Sequence, residues 1–236
     1  MKSRFQYRGS YLSYVVTYFS YFFAMSTINN MISLYLTDLL GKTDQEMTFI
    51  ISASSLFGII TNPIIGYLND KFRKPKVLAA TLLSCAAVSA LLFAAFRNTI
   101  LLYILNGLTM GCISAVSPIS ERVASSGKFR YGQIRIWGTI GYAAAPQVAG
   151  IILEIAPPRW LFITAAISLV ISSGSYLLLK GISFEASEST EPAEPQPAVK
   201  NRLSFFKTPM FLLFACIAML YSGAAGLNNS YCPILL

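Results

Sequence analysis

Seven mainly apolar stretches follow one another along this 236-residue chain, each close to or above the ~20 residues that a helix needs to cross a hydrocarbon core. They run from Tyr11 to Leu36, Met47 to Leu68, Val77 to Phe96, Ile100 to Ile119, Ile134 to Leu153, Trp160 to Leu179, and Pro209 to the end. The expected fold class is all-α, a polytopic membrane protein. The first stretch is longer than the roughly 7 to 15 residues of a signal-peptide core and is read as the first membrane helix. Within it Ser26, Asn29, Asn30, Ser33 and Thr37 recur at i, i+3, i+4, i+7 and i+11, so one helix face is polar. In lipid such a face must look at protein or water; it lines a solute path or supplies interhelical hydrogen bonds.

The connections carry the charge asymmetrically. Lys2, Arg4 and Arg8 precede the first helix; Lys71, Arg73, Lys74 and Lys76 follow the second; Arg122, Lys128, Arg130 and Arg135 follow the fourth; Lys180, Lys200, Arg202 and Lys207 follow the sixth. Of the 18 Lys and Arg, only Lys42, Arg97 and Arg159 remain for the opposite side. The positive-inside rule then makes the N-terminus cytoplasmic.

Ser183 to Lys200 interleaves Glu185, Glu188, Glu191 and Glu194 with Pro192, Pro195 and Pro197, a composition that cannot bury enough apolar surface to fold. Arg202 to Thr208, with Phe205 and Phe206 among basic residues, suits the membrane surface before Pro209 opens the seventh helix. The chain is therefore divided into a six-helix transmembrane bundle at 1–182, a flexible cytoplasmic linker at 183–207, and at 208–236 the first helix of an incomplete second bundle. Ala225-Gly226-Leu227-Asn228-Asn229 echoes Ser26-Thr27-Ile28-Asn29-Asn30, as expected of two parallel repeats in a twelve-helix transporter whose C-terminal half is missing here. The alternative is chance recurrence of an Asn-Asn pair.

Composition agrees. At 55% hydrophobic, 12% charged and a mean hydropathy of +0.58, the chain has more apolar surface than one soluble core can bury, which makes the bilayer its partner. The formal charge of +8 sits in short clusters between apolar runs, suiting an anionic membrane surface and arguing against nucleic acid. Cys85, Cys112, Cys216 and Cys232 are widely spaced inside apolar runs, and there is no histidine. An imidazole relay, a Ser-His-Asp triad and a His-ligated metal are thereby excluded from these residues, and neither cofactor nor metal is expected. With no nucleophile-base pair or phosphate loop, an enzyme is the least supported class.

Two segments carry candidate chemistry. After the second apolar stretch comes Gly66-Tyr67-Leu68-Asn69-Asp70-Lys71-Phe72-Arg73-Lys74-Pro75-Lys76. Its glycine permits close helix approach, its acid suits a neighbouring helix N-terminus, and its bases suit the cytoplasmic interface. It resembles the G-x-L-x-D-R/K-x-G-R/K signature of the major facilitator superfamily, with Arg73 where the second glycine is usual. That resemblance implies a conformational-switch loop made of Gly66, Asp70, Lys71, Arg73 and Lys74.

The other segment is Pro118-Ile119-Ser120-Glu121, followed by Tyr131-Gly132-Gln133-Ile134-Arg135-Ile136-Trp137-Gly138-Thr139-Ile140-Gly141-Tyr142. Arg135 and Tyr142 are seven apart, nearly two helical turns, so both project from one face with Gly138 and Thr139 between them. A slot between a cation and a ring suits a sugar, whose hydroxyls accept from a guanidinium. Glu121 supplies acceptors and a counter-charge, since an unpaired charge near a helix centre costs roughly 2.5 to 3.5 kcal/mol on insertion scales. The alternative is that Glu121 and Arg135 snorkel at the cytoplasmic interface while the glycines serve packing.

The same residues, with Asp38 to Phe72 including Asn62-Pro63, are similar to the oligosaccharide- and nucleoside-proton symporter branch of that superfamily. The resemblance implies that Glu121 and Arg135 bind a small hydroxylated solute, with Tyr142 where a stacking tryptophan is usual; Asn29 and Asn30 join them as candidate substrate-binding residues. It also implies proton-coupled uptake by alternating access at the cell membrane, with the main protonation sites in the absent half. The competing readings are a drug or metabolite efflux transporter and a non-transporting truncated membrane protein.

Overall fold

The computed structural model describes residues 2–72, 74–125, 129–179 and, farther along, 213, 216, 217 and 219–221. The chain divides into two compact units, 1–183 and 184–236. In the second unit Leu213, Cys216, Ile217, Met219, Leu220 and Tyr221 are helical and exposed; the linker, Asn228, Asn229 and Cys232 lie outside the described residues. The first unit is a bundle of six helices: α1 Lys2–Leu34, α2 Asp44–Phe72, α3 Pro75–Ala95, α4 Thr99–Ser125, α5 Tyr131–Ile155 and α6 Arg159–Leu178.

The helices outrun the apolar stretches because hydropathy registers only the hydrocarbon depth, while polar end turns continue into water. At the start of α2, Thr43 Oγ1 accepts from the Glu46 N–H at 3.3 Å and the Glu46 carboxylate accepts from the Thr43 N–H at 3.3 Å, a reciprocal capping box. The far end of α2 reaches Phe72, so Gly66, Asp70 and Lys71 lie in its last turns rather than in the expected loop. A π-helical turn, Tyr35–Leu39, prolongs α1. There the N–H groups of Gly41 and Lys42 return to the carbonyls of Thr37 and Leu36, at 3.1 and 3.0 Å. Gly41 stands at φ 59°, where a side chain is strained.

Five helices, α2 to α6, are long and apolar enough to cross a membrane. α1 is not among them, although its polar residues Thr17, Ser20, Ser26, Thr27 and Ser33 lie buried within the bundle. Lipid gives packed helices no hydrophobic drive to associate, so close approach and interhelical hydrogen bonds must hold them. α1 packs on α5 and α6, α2 on α4, and α3 on α4 and α6. The order α2, α4, α3, α6, α1, α5 leaves α2 and α5 as the two least buried of the five spans.

Small residues make the contacts close. A Cβ on Gly107 would stand 2.4 Å from the Phe57 ring, and one on Gly138 would stand 2.5 Å from the Phe22 ring. Tyr21 donates to the Ile113 carbonyl at 2.7 Å, Asn106 Nδ2 to the Ile50 carbonyl at 2.9 Å, and Ser172 to the Thr17 carbonyl at 3.1 Å. Tyr18 donates to the Ser120 carbonyl, and the Ser120 and Tyr176 hydroxyls share a 2.5 Å hydrogen bond, joining α1, α4 and α6. Contacts climb in step along α1 with α5 and along α2 with α4, so each pair runs parallel, as alternate crossings of one bilayer require.

Candidate functional site

α4 ends and α5 begins at the same end of the bundle, one turn beyond Glu121 and one turn before Arg135. Arg135 Nε lies 3.4 Å from Glu121 Oε1, with the two side chains 36% and 37% exposed. The expected ion couple therefore forms, but near the helix ends and open to solvent rather than near the helix centre, because four residues of helix are only ~6 Å of depth. Tyr131, the first residue of α5, donates its hydroxyl to Glu121 Oε2 at 2.5 Å. Each carboxylate oxygen thus has its own partner. The Arg135 guanidinium carbon stacks over the Phe22 ring, 4.3 Å from its centroid. Gly138 makes room for that stack, since a Cβ there would also meet the Arg135 Nη1 at 3.2 Å.

Tyr142 lies two turns deeper, ~10 Å along α5 from Arg135. It is half-buried, and its backbone carbonyl accepts from the Ser26 hydroxyl at 2.8 Å. Asn30 Nδ2 donates in turn to Ser26 Oγ at 2.9 Å. Of the two readings of the polar face of α1, interhelical hydrogen bonding thus accounts for Ser26, while Asn30 bonds back to Ser26 within α1. Asn29 is half-buried and makes no hydrogen bond among the described residues.

The expected switch loop is dispersed. Gly66 has nothing within 4 Å of where a Cβ would be. Lys71 Nζ lies 5.9 Å from the Tyr67 ring centroid, Asp70 and Lys74 are exposed, and Arg73 lies outside the described residues. No side chain caps α3, so Asp70 does not serve that helix N-terminus. Asn69 Oδ1 is buried without a hydrogen-bond partner among the described residues.

Sequence reasoning missed Tyr131 and Phe22 as members of the cluster. Tyr131 stands four residues before Arg135, a helical neighbour that the spacing alone could have flagged. Phe22 reaches Arg135 across two helices, and no local pattern announces it. Among the described residues no group of three or more Cys, Asp or Glu is placed to hold a metal. An open groove along Tyr11, Phe129, Gln133 and Trp137 lies on the other side of α5 from Arg135, with Trp137 Nε1 donating to the Tyr11 hydroxyl at 3.0 Å.

A cation, a carboxylate and a phenol, solvent-accessible at one end and continued inward by amide and aromatic side chains, can exchange hydrogen bonds with solute hydroxyls. A family model described as Major Facilitator Superfamily matches residues 14–235. Raffinose permease of Escherichia coli is 29% identical over 213 residues, 84% of this chain and 48% of that protein. Lactose permease of Klebsiella oxytoca is 26% identical over 208 residues, 79% of this chain and 48% of that protein. Maltose permease of Geobacillus stearothermophilus is 26% identical over 226 residues, 93% of this chain and 55% of that protein. The crystal structure of a mutant of the nucleoside transporter NupG superposes with a TM-score of 0.75 at 16% identity, covering 94% of this chain and 56% of that one. The chain spans about half the length of these curated relatives.

Proposed function

We infer the function from one premise: the chain belongs to the Major Facilitator Superfamily, as a multi-pass membrane protein whose relatives include sugar permeases. The reading is that it forms one half of a transporter moving a small hydroxylated solute, a sugar first and a nucleoside second, by alternating access. It works in the plasma membrane with its N-terminus in the cytoplasm, and a proton supplies the coupling. The supporting observation is the cluster of Glu121, Arg135 and Tyr131. A solute hydroxyl donates to the Glu121 carboxylate and accepts from the Arg135 Nη donors, while Phe22 and Tyr131 hold the two charges in place. Tyr142, deeper on the same face of α5, offers a ring to an apolar sugar face.

The charge distribution supports the orientation, because the basic residues Lys71, Lys74, Lys76, Arg122 and Arg130 lie at the end of the bundle where Glu121 and Arg135 sit. The low burial of α2 and α5 supports a second bundle completing the transporter. By the family resemblance, the main protonation sites belong to that second half.

Equilibrium binding to the purified, detergent-solubilised protein tests the reading with a panel of oligosaccharides, nucleosides and lipophilic cations. Saturable binding of a sugar or nucleoside is expected. Binding of lipophilic cations alone would move the protein to drug efflux, and binding of no panel member would support the non-transporting alternative.

A further inference from the structure

On α2, Thr48, Ser55, Asn62 and Asn69 recur every seven residues, which puts one polar stripe along a helix whose other exposed positions include Ile59, Ile60, Ile64 and Tyr67. Thr48, Ser55 and Asn62 are exposed. A carboxamide at membrane depth cannot face acyl chains without cost, and the Asn62 amide N–H groups have no partner among the described residues. Its carbonyl oxygen accepts from Ser114 of α4 at 3.3 Å, and the same Ser114 hydroxyl also reaches the Gly111 carbonyl at 3.0 Å. Ser114 is seven residues before Glu121, on the same face of α4, and ~10 Å from it along the axis. That offset equals the one between Arg135 and Tyr142 on α5. The two walls thus carry matched levels: Glu121 with Arg135 at the helix ends, and Asn62 with Ser114 at the depth of Tyr142.

We propose that Asn62 and Ser114 form a second solute-contacting station, in which the Asn62 amide donates to a hydroxyl or ring oxygen of a solute whose far end engages Glu121 and Arg135. The proposal rests on the solute-transport reading above and adds a length requirement. A solute that reaches both levels spans ~10 Å, more than one pyranose ring. Asn62 is well suited because its amide N–H groups have no partner among the described residues and its carbonyl oxygen lies within reach of the Ser114 hydroxyl.

The test is cysteine accessibility in the full chain reconstituted in vesicles, with Cys85, Cys112, Cys216 and Cys232 replaced by alanine. Single variants Asn62→Cys, Ser114→Cys, Thr139→Cys and Ile60→Cys are exposed to a membrane-impermeant charged methanethiosulfonate. The thiolate attacks the reagent sulfur, a mixed disulfide forms and methanesulfinate leaves, so only a water-facing thiol reacts. Ile60 points away from Asn62 on α2 and reports lipid; Thr139, exposed between Arg135 and Tyr142, reports the α5 wall. Labelling at Asn62→Cys and Ser114→Cys should run on the order of tenfold faster than at Ile60→Cys, because hydrocarbon suppresses the thiolate. A di- or trisaccharide should slow it, and a monosaccharide should not.

Labelling of Asn62→Cys and Ser114→Cys as slow as that of Ile60→Cys overturns the station whatever the protein transports. Protection by sugar at Thr139→Cys but not at either station residue overturns the station and leaves the transport reading standing. Protection at neither wall removes the transport reading, and the station with it. Equal protection by a monosaccharide overturns the length requirement.

Discussion

Gly141 of α5 meets the backbone of Phe19 on α1 so closely that a Cβ would stand 2.4 Å from the Phe19 carbonyl oxygen. A carbonyl inside a helix cannot rotate aside as a side chain does. Gly141→Ala must therefore push the two helices apart, at a cost of roughly 1 to 3 kcal/mol for overpacking. Gly150 lies on the same helix with nothing within 4 Å, so Gly150→Ala is expected to be neutral or slightly stabilising. Thermal unfolding in detergent checks both: the Tm should drop for Gly141→Ala only. Equal behaviour of the two would mean that α1 and α5 do not pack through Gly141.

The second prediction concerns Tyr131. Its hydroxyl is the partner of one Glu121 oxygen, and the helix start that presents it is solvent-exposed. Tyr131→Phe keeps the ring and removes the donor. Hydrogen bonds to charged groups contribute about 1.5 to 3 kcal/mol, an upper limit here because water can replace the phenol. Solute affinity should fall several-fold while the Tm stays put; an unchanged affinity would make Tyr131 a bystander.

Asn106 gives a stability prediction free of function. Its side chain is buried on α4 and donates to the Ile50 carbonyl of α2 at 2.9 Å. Interhelical hydrogen bonds in membrane proteins average ~0.6 kcal/mol and reach ~1.7. Asn106→Ala should therefore destabilise by about 1 kcal/mol in a denaturant titration, with part of the loss coming from the small cavity. No loss at all would argue against the α2 and α4 contact.

Topology is testable separately. The exposed Gln45 lies at the end of the bundle that holds Thr43 and Glu46, and the exposed Lys71 lies at the opposite end. With native cysteines removed, Gln45→Cys should react with an impermeant maleimide on intact cells and Lys71→Cys only after lysis. The reverse pattern would invert the orientation read from the Lys and Arg distribution.

How much of this was legible in the sequence depends on the range of the interaction. The order of the six helices of the first unit was readable because α2 to α6 each repeat one local requirement, an apolar run of sufficient length, which α1 with its polar residues does not meet. The partnership of Glu121 with Arg135 was readable because a charge near lipid needs a counter-charge. Their depth was not, since hydropathy does not show that α4 continues to Ser125 and α5 starts at Tyr131. Gly66, Asp70 and Lys71 were assigned to a loop for the same reason, although α2 carries them in its last turns. The stack of Arg135 on Phe22 was illegible because it joins helices more than a hundred residues apart. The stripe through Asn62 was visible at a period of seven and had been masked by the isoleucines that alternate with it.

Arg135 is the residue on which the solute reading depends most. Calorimetric titration of the purified protein with the sugar or nucleoside it binds, before and after Arg135→Ala, measures that dependence directly, with Arg135→Lys separating charge from the forked donor geometry. Arg135→Ala should abolish binding while membrane insertion and Tm are retained, and Arg135→Lys should bind at least about tenfold more weakly than the native protein, the equivalent of ~1.4 kcal/mol. Native affinity in the folded Arg135→Ala protein would contradict the assignment and remove the ion couple from the solute path.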